Sequence, residues 1–109
     1  MEVKISQNNE SLIMEFVGRL DTGTAPKVEV EVNKQLEKHN KVIIDLEQTA
    51  FVSSAGLRIF LATAKKLMKS GGKLRICNPN DVVNEVFQIS GFNTILDVKG
   101  TLEEALEGF

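Results

Sequence analysis

The chain has 109 residues, of which 42% are hydrophobic and 26% charged, enough for one folded domain with a core and too few for two. Its formal net charge of −2 argues against a nucleic-acid-binding protein, which usually carries a clustered basic excess. The single cysteine excludes an intramolecular disulfide. No signal peptide is recognisable, and no apolar run has transmembrane length. We therefore expect one cytoplasmic domain over residues 1–109 without membrane insertion.

Two strands joined by a turn open the chain. Residues 3–6 and 12–17 are predicted strands, and residues 8–10, Asn-Asn-Glu, suit the turn because Asn tolerates left-handed backbone. We therefore predict an opening β-hairpin.

A loop and a first helix follow the hairpin. Residues 18–24 are predicted to form a loop ending in a helix cap, and Pro26 suits the first turn of a helix that runs to about His39. One face carries apolar residues at four-residue spacing, namely Val28, Val32 and Leu36. Residues 28–32 also alternate with period two, as a half-exposed strand would. The capped start and the polar continuation over residues 33–38 favour the helix.

The run of residues 51–58, FVSSAGLR, is the most informative segment. It follows a predicted buried strand at residues 42–46 and begins a helix at Ser53 or Ser54 that extends to about Ser70. The helix is predicted from apolar positions on one face, namely Leu57, Phe60, Leu61, Ala64, Leu67 and Met68. A serine at such a position either caps the helix or marks a place where an anion is favoured. Both interpretations remain open at this point.

Four shorter elements complete the prediction. They are a strand at residues 73–77, a helix at 82–90 capped by Asn80 or Asp81 and closed by Gly91, a strand at 95–98, and a helix starting at Thr101. The order β-β-α-β-α-β-α-(β)-α predicts an α/β domain with a mixed, mostly parallel sheet and about four helices packed on it.

The residues needed for familiar catalytic and metal sites are missing. A serine–histidine–acid triad would have to use His39, the only histidine, which is predicted at the far end of the first helix. A site of histidine and cysteine ligands would have only His39 and Cys77, and Cys77 in an apolar strand is typical of a small buried hydrophobic residue. No phosphate-binding Gly-Lys-Ser/Thr loop is present. We therefore expect no catalytic residue, no metal site and no cofactor.

Three motifs stand in order along the chain: Gly18-x-Leu20-Asp21-x-x-Thr24-Ala25, then Ile43-Ile44-Asp45-Leu46, then Phe51-Val52-Ser53-Ser54-Ala55-Gly56-Leu57. Together they resemble the STAS domain family, and specifically the bacterial anti-sigma factor antagonists. The resemblance covers essentially the whole chain.

The resemblance implies a partner-switching role. The unphosphorylated antagonist is expected to bind an anti-sigma factor with serine kinase activity and thereby release a sigma factor. Phosphorylation of a serine at a helix start is expected to block this binding, and a PP2C-type serine phosphatase to restore it. The family's acceptor matches Ser54, with Ser53 as a less favoured second candidate. Ser53 stands where the family has an acidic residue.

The residues expected to bind the partner are Asp21, Thr22, Ser53, Ser54, Ala55, Gly56, Arg58 and Ile59. The resemblance implies Asp21 and Thr22, whose loop lies beside the acceptor in the family. A helical wheel places Arg58 in a basic stripe and Ile59 outside the apolar face, which suggests a docking surface one turn past Ser54. The alternative is a solvated stripe with Ile59 packed against a neighbour.

Two other functions compete with the antagonist. One is a STAS subunit that docks a transporter or a larger signalling complex without phosphorylation. The other is an enzyme that uses Ser54 as a nucleophile, which would need a general base that the sequence does not supply.

Overall fold

The computed structural model describes all residues, 1–109, with six strands and four α-helices. The strands are β1 (Glu2–Asn8), β2 (Ser11–Leu20), β3 (Lys41–Asp45), β4 (Thr49–Val52), β5 (Lys73–Cys77) and β6 (Val98–Lys99). The helices are α1 (Ala25–Leu36), α2 (Ser54–Lys69), α3 (Asp81–Ser90) and α4 (Leu102–Leu106), with a 3-10 turn at Phe92–Thr94. None of the helices combines the length and the apolar character needed to cross a membrane.

The strands form one mixed sheet in the order β1-β2-β3-β5-β6. Only β1 and β2 are antiparallel, as the predicted hairpin requires, and every other pairing is parallel. β4 pairs with the end of β2, where Leu20 lies opposite Val52, beyond the stretch that pairs with β3. The predicted α/β fold with a mostly parallel sheet and four helices is therefore confirmed.

The hydrophobic core lies between the sheet and the layer of α1, α2 and α3. The side chains of β2 alternate, so that Leu12, Met14 and Phe16 join this main core while Ile13 belongs to the other face. A smaller cluster on that face consists of Ile13, Ile43, Cys77 and Ala105 beneath α4. β3 is buried along nearly its whole length, as expected for a central parallel strand covered on both faces.

The main error in the strand prediction is β4, which the sequence pattern did not indicate. Residues 18–20 were also predicted as loop, but β2 continues to Leu20 because β4 supplies it with a partner. Long-range side-chain bonds hold β4 in place: the Thr49 hydroxyl donates to the Phe16 carbonyl (2.7 Å), and the Asn80 side chain donates to the Thr49 carbonyl (3.1 Å). Such contacts cannot be read from a four-residue segment.

The helix predictions are confirmed with smaller corrections. α1 is a helix and not the alternating strand, but it ends at Leu36 and not near His39. Met68, predicted to face the core, is 75% exposed. The Asn80 side chain caps α3 by accepting from the Val83 N–H (2.8 Å), and Gly91 ends that helix with a left-handed φ of 76°. Of the predicted strand at 95–98 only Val98 is a strand residue, in the two-residue β6 (Val98–Lys99), because residues 95–97 follow the 3-10 turn as irregular chain.

Candidate functional site

The candidate site lies where two neighbouring parallel strands, β2 and β4, end side by side. The Ser53 N–H donates to the Leu20 carbonyl (2.8 Å) and so extends their ladder by one bond. The loop that leaves β2 and the helix that follows β4 consequently meet at the same end of the sheet. This end of parallel strands is where α/β proteins commonly place their binding residues.

The two serines at the start of α2 occupy different environments. Ser53 is the N-cap residue, but its hydroxyl makes no capping bond, and its Oγ is buried without a hydrogen-bond partner. Ser54 is the first helical residue and is exposed. Of the two interpretations that the sequence left open, capping of this helix by a serine side chain is therefore not observed. Of the two hydroxyls, only that of Ser54 lies on an exposed residue.

The first turn of α2 has unpaired backbone donors. Its first backbone bond runs from the Leu57 N–H to the Ser53 carbonyl (3.0 Å), and the N–H groups of residues 54–56 donate no hydrogen bond within the chain. Such free donors and the helix dipole favour a negative charge at this position.

Gly56 allows α2 to approach the two strands closely. A Cβ atom at this position would lie 2.8 Å from side-chain carbons of Leu20 and Val52, a distance that real Cβ atoms do not tolerate. Gly56 is itself buried. It was predicted to bind the partner, but its position beneath the surface gives it the role of setting where Ser54 and Ala55 stand.

The loop after β2 is braced by its own side chains. The Asp21 carboxylate accepts from the Gly23 N–H (3.0 Å) and the Thr24 N–H (3.1 Å). The Thr24 hydroxyl in turn accepts from the Asp21 N–H (2.9 Å) and donates to the Arg19 carbonyl (2.9 Å). The Thr24 side chain accepts no hydrogen bond from the first turn of α1, so its hydroxyl holds the loop and does not cap the helix. Thr22 lies exposed at the tip of this braced loop.

Replacing Asp21 with alanine is expected to lower the free energy of unfolding by about 1 kcal/mol, because two loop N–H groups lose their acceptor in a partly exposed setting. Asp21→Asn keeps a side-chain oxygen that can accept the same bonds and should cost less. Urea unfolding of both variants measures the difference. Equal losses for alanine and asparagine would show that the carboxylate does not brace the loop in this way.

A groove of about 300 Å³ joins the loop to the first turns of α1 and α2. Its lining combines predicted and unpredicted residues, namely Thr22, Ala25, Pro26, Glu29, Ala55, Arg58 and Ile59. Ala25, Pro26 and Glu29 were not among the predicted site residues, although Pro26 had indicated the start of a helix at this turn. A larger depression of about 580 Å³ lies at the other end of the strands and contains none of the candidate residues.

Ile59 requires a correction. The helical wheel placed it outside the apolar face, but its side chain is only 3% exposed and belongs to the main core together with Val28 and Val32 of α1. Because α1 covers this flank of α2, Ile59 forms the floor of the groove and is not an exposed docking residue. The alternative prediction, packing against a neighbour, is the correct one. Arg58 is exposed at the rim.

The charge on α2 is entirely positive. The helix contains Arg58, Lys65, Lys66 and Lys69 and no acidic residue. Lys66 donates to the Asn33 side chain (2.6 Å) on α1, whereas the exposed Arg58 forms no ion pair. Positive charge near the helix start adds to the dipole in favouring an anion at Ser54.

Cys77 is buried in the core of the α4 face, as predicted for a small hydrophobic residue. Burial, followed by the negative charge of Asp45, raises the pKa of its thiol to about 12. The thiol is therefore neutral at ordinary pH and is not a ready nucleophile.

A cluster of carboxylates near Cys77 was not foreseen, because only histidine and cysteine were considered as metal ligands. Oxygen atoms of Glu15, Asp45 and Glu47 lie within 4.8 Å of one another. The Asp45 carboxylate already accepts from the Glu47 N–H (3.0 Å) and the Asn78 side chain (3.0 Å). The cluster thus has a structural role at the end of β3.

Comparison with known proteins agrees with the fold and extends over the whole chain. Residues 1–105 match the family model described as the STAS domain. A Bordetella bronchiseptica protein, BtrV, provisionally named an anti-sigma factor antagonist, is 34% identical over 100% of this chain and 95% of its own length. The anti-sigma-B factor antagonist of Bacillus subtilis is 25% identical over 98% of both chains.

Solved structures show the same fold at lower identity. A Thermotoga maritima protein, provisionally described as an anti-sigma factor antagonist, superimposes with a TM-score of 0.91 at 21% identity, covering 96% of this chain and 92% of its own. The anti-sigma factor antagonist SpoIIAA in its unphosphorylated form gives a TM-score of 0.81 at 22% identity, with 97% and 94% covered. From the family model and the full-length relatives, we conclude that the chain belongs to the STAS domain family.

Proposed function

We propose that this protein is an anti-sigma factor antagonist whose binding is switched off by phosphorylation of Ser54. In the unphosphorylated state it binds an anti-sigma factor that has serine kinase activity, and a sigma factor is released. A PP2C-type serine phosphatase removes the phosphate. Relatives that bear the antagonist name along the full chain support the general role.

The main support for the proposed site is the difference in exposure between Ser53 and Ser54. Ser54 is exposed at the first position of α2, next to the groove residue Ala55, while the Ser53 Oγ is buried. A kinase can reach an exposed hydroxyl without opening the fold. Ser53 also occupies the position that is acidic in related motifs, which favours Ser54 as the acceptor.

The position of Ser54 implies that phosphorylation changes binding and leaves the fold intact. A phosphoserine carries a charge of about −1.5 to −2 near neutral pH. At a helix N-terminus this charge is favourable by about 0.3–1 kcal/mol. The switch therefore acts at the interface, where a bulky anion meets a partner surface that has to lose its water.

The surface proposed to meet the partner comprises the braced loop at Asp21 and Thr22, Ser54 and Ala55 at the start of α2, and Arg58 at the rim of the groove. Thr22, Ala55 and Arg58 line one groove, and buried Gly56 and Ile59 support it from below.

A catalytic role for Ser54 is less well supported than a binding role. α1 begins at the site and has 12 residues, so its far end lies about 18 Å away, and His39 follows that end. The only histidine therefore lies too far from Ser54 to act as its general base.

Affinity capture from the bacterium that encodes the chain tests the proposal, with wild type, Ser54→Ala and Ser54→Asp as baits. We expect one kinase-like anti-sigma factor to bind the first two baits and not the third. Recovery of a transporter or a large signalling complex with all three baits would instead support the docking subunit that phosphorylation does not regulate.

A further inference from the structure

The β1 strand is a long sheet edge without a partner. β1 comprises seven residues and lies at the end of the sheet, paired only with β2. One row of its backbone N–H and C=O groups therefore faces outward. Such an edge is a template for pairing with another strand, and natural proteins usually cover, shorten or charge it. Here the edge contains no proline, and nearly all of its residues are exposed.

The residues of this edge are complementary to a second copy of themselves. In an antiparallel pairing with a two-fold axis at Val3, residue i lies opposite residue 6−i of the other copy. Glu2 of each copy then faces Lys4 of the other copy, so this pair of opposite charges forms once on each side of the axis. Met1 and Ile5, which are 38% and 41% exposed, face each other in the same way. Opposite charges and apolar pairs directly across two strands are favourable.

A shallow cavity beside the edge fits the same register. About 340 Å³ of open volume lies between β1 and α1, lined by Met1, Val3, Lys27, Val28 and Glu31. Because successive side chains alternate between the faces of a strand, Ile5 lies on the same face as Met1 and Val3. Paired opposite Met1, the Ile5 side chain of the second copy would cover this cavity.

We propose that two copies of this chain associate through their β1 edges, with the two-fold axis at Val3, to form one continuous sheet. The interface is isologous, so both copies contribute the same surface and the assembly closes as a dimer. Lys27 and Glu31 lie on one flank of α1, while Pro26 and Glu29 of the groove at Ser54 lie on the other. The dimer therefore leaves that groove open, and its existence does not depend on the function proposed above.

Sedimentation of the purified 109-residue chain tests the dimer and its register together. Wild type is expected to show a concentration-dependent equilibrium between monomer and dimer. Glu2→Lys places two lysines opposite each other on each side of the axis, and Lys4→Glu places two glutamates there. Each variant alone should therefore dissociate about tenfold more readily. In an equimolar mixture of the two variants, a heterodimer contains one copy of each. Residues 2 and 4 are then both lysine in one copy and both glutamate in the other.

 The two changes are complementary, because the lysines of one copy then face the glutamates of the other on both sides of the axis, so the mixture should dimerise again.

The controls separate the edge contact from changes in overall charge and folding. Glu85→Lys alters the net charge as Glu2→Lys does, at an exposed position on α3, and should leave the equilibrium unchanged. Lys4 lies opposite Glu15 of β2, so Lys4→Glu also places two glutamates opposite each other within one chain, whereas Glu2 lies opposite the uncharged Val17. Circular dichroism must therefore show that both variants are folded. A wild-type protein that stays monomeric up to millimolar concentration would overturn the proposal. Dimers that respond equally to Glu2→Lys and Glu85→Lys would also overturn it.

Discussion

Replacing Gly56 with alanine is expected to lower the free energy of unfolding by about 1–2 kcal/mol. The added Cβ would meet three side-chain carbons of the fully buried Leu20 and Val52 at 2.8 Å, so we expect a cost at the upper end of the about 1–3 kcal/mol that is typical of overpacking. Alanine also raises helix propensity by about 0.8–1.0 kcal/mol, which offsets part of the loss. Urea or thermal unfolding measures the net effect.

Gly100→Ala is the matched control for this substitution. Its added Cβ would have no neighbour closer than 3.8 Å, so the stability should hardly change. Because the clash at Gly56 pushes α2 away from the strands, Gly56→Ala should also weaken partner binding by displacing Ser54. An alanine variant as stable as wild type would contradict the close packing of α2 on β2 and β4.

Ser54→Asp is expected to reduce affinity for the anti-sigma factor by a factor of about 100 or more, which corresponds to roughly 2.7 kcal/mol. The carboxylate stands at the start of α2, where the helix dipole favours it, so thermal stability should not fall. Isothermal titration against the captured partner measures the affinity, and circular dichroism measures the fold.

Two further variants separate a local effect from a general effect of charge. Ser54→Ala should bind like wild type, because it adds no charge. Asn93→Asp adds one negative charge at an exposed position in the 3-10 turn and should also leave the affinity unchanged. Unchanged affinity for Ser54→Asp, or an equal loss for Asn93→Asp, would count against a switch at Ser54.

The sequence alone was sufficient for elements whose local signals agree. α3 was predicted correctly because the Asn80 cap, the apolar face and the closing Gly91 all indicate one helix. β4 was missed because four residues carry little pattern, and its place depends on contacts with Phe16 and Asn80 far away in the chain.

The errors on α2 have a common cause. A helical wheel assumes one buried face, but α2 packs against both the sheet and α1. This buries Ile59 on one flank, and it buries Thr63, whose hydroxyl donates to the Ile59 carbonyl (2.7 Å). Met68 is near the end of the helix and is left exposed. Which flank of a helix has a neighbour is a tertiary property, and periodicity does not reveal it.

The sequence was sufficient to locate most residues of the candidate site, but not to tell which of them are exposed and which support the site from below. The motifs indicated Asp21, Ser53 and Ser54 as neighbours, and the structure brings them to one end of the sheet. The burial of the Ser53 Oγ and the supporting role of Gly56 depend on how closely α2 approaches the strands. Only three-dimensional packing fixes that distance.

Phosphosite mapping by mass spectrometry tests the central claim most directly. The chain is incubated with the captured kinase and ATP, and wild type is compared with Ser54→Ala and Ser53→Ala. We predict phosphate on Ser54 in wild type and Ser53→Ala, and none in Ser54→Ala. Phosphate on Ser53, or equal incorporation into Ser54→Ala, would contradict the assignment of Ser54 as the switch.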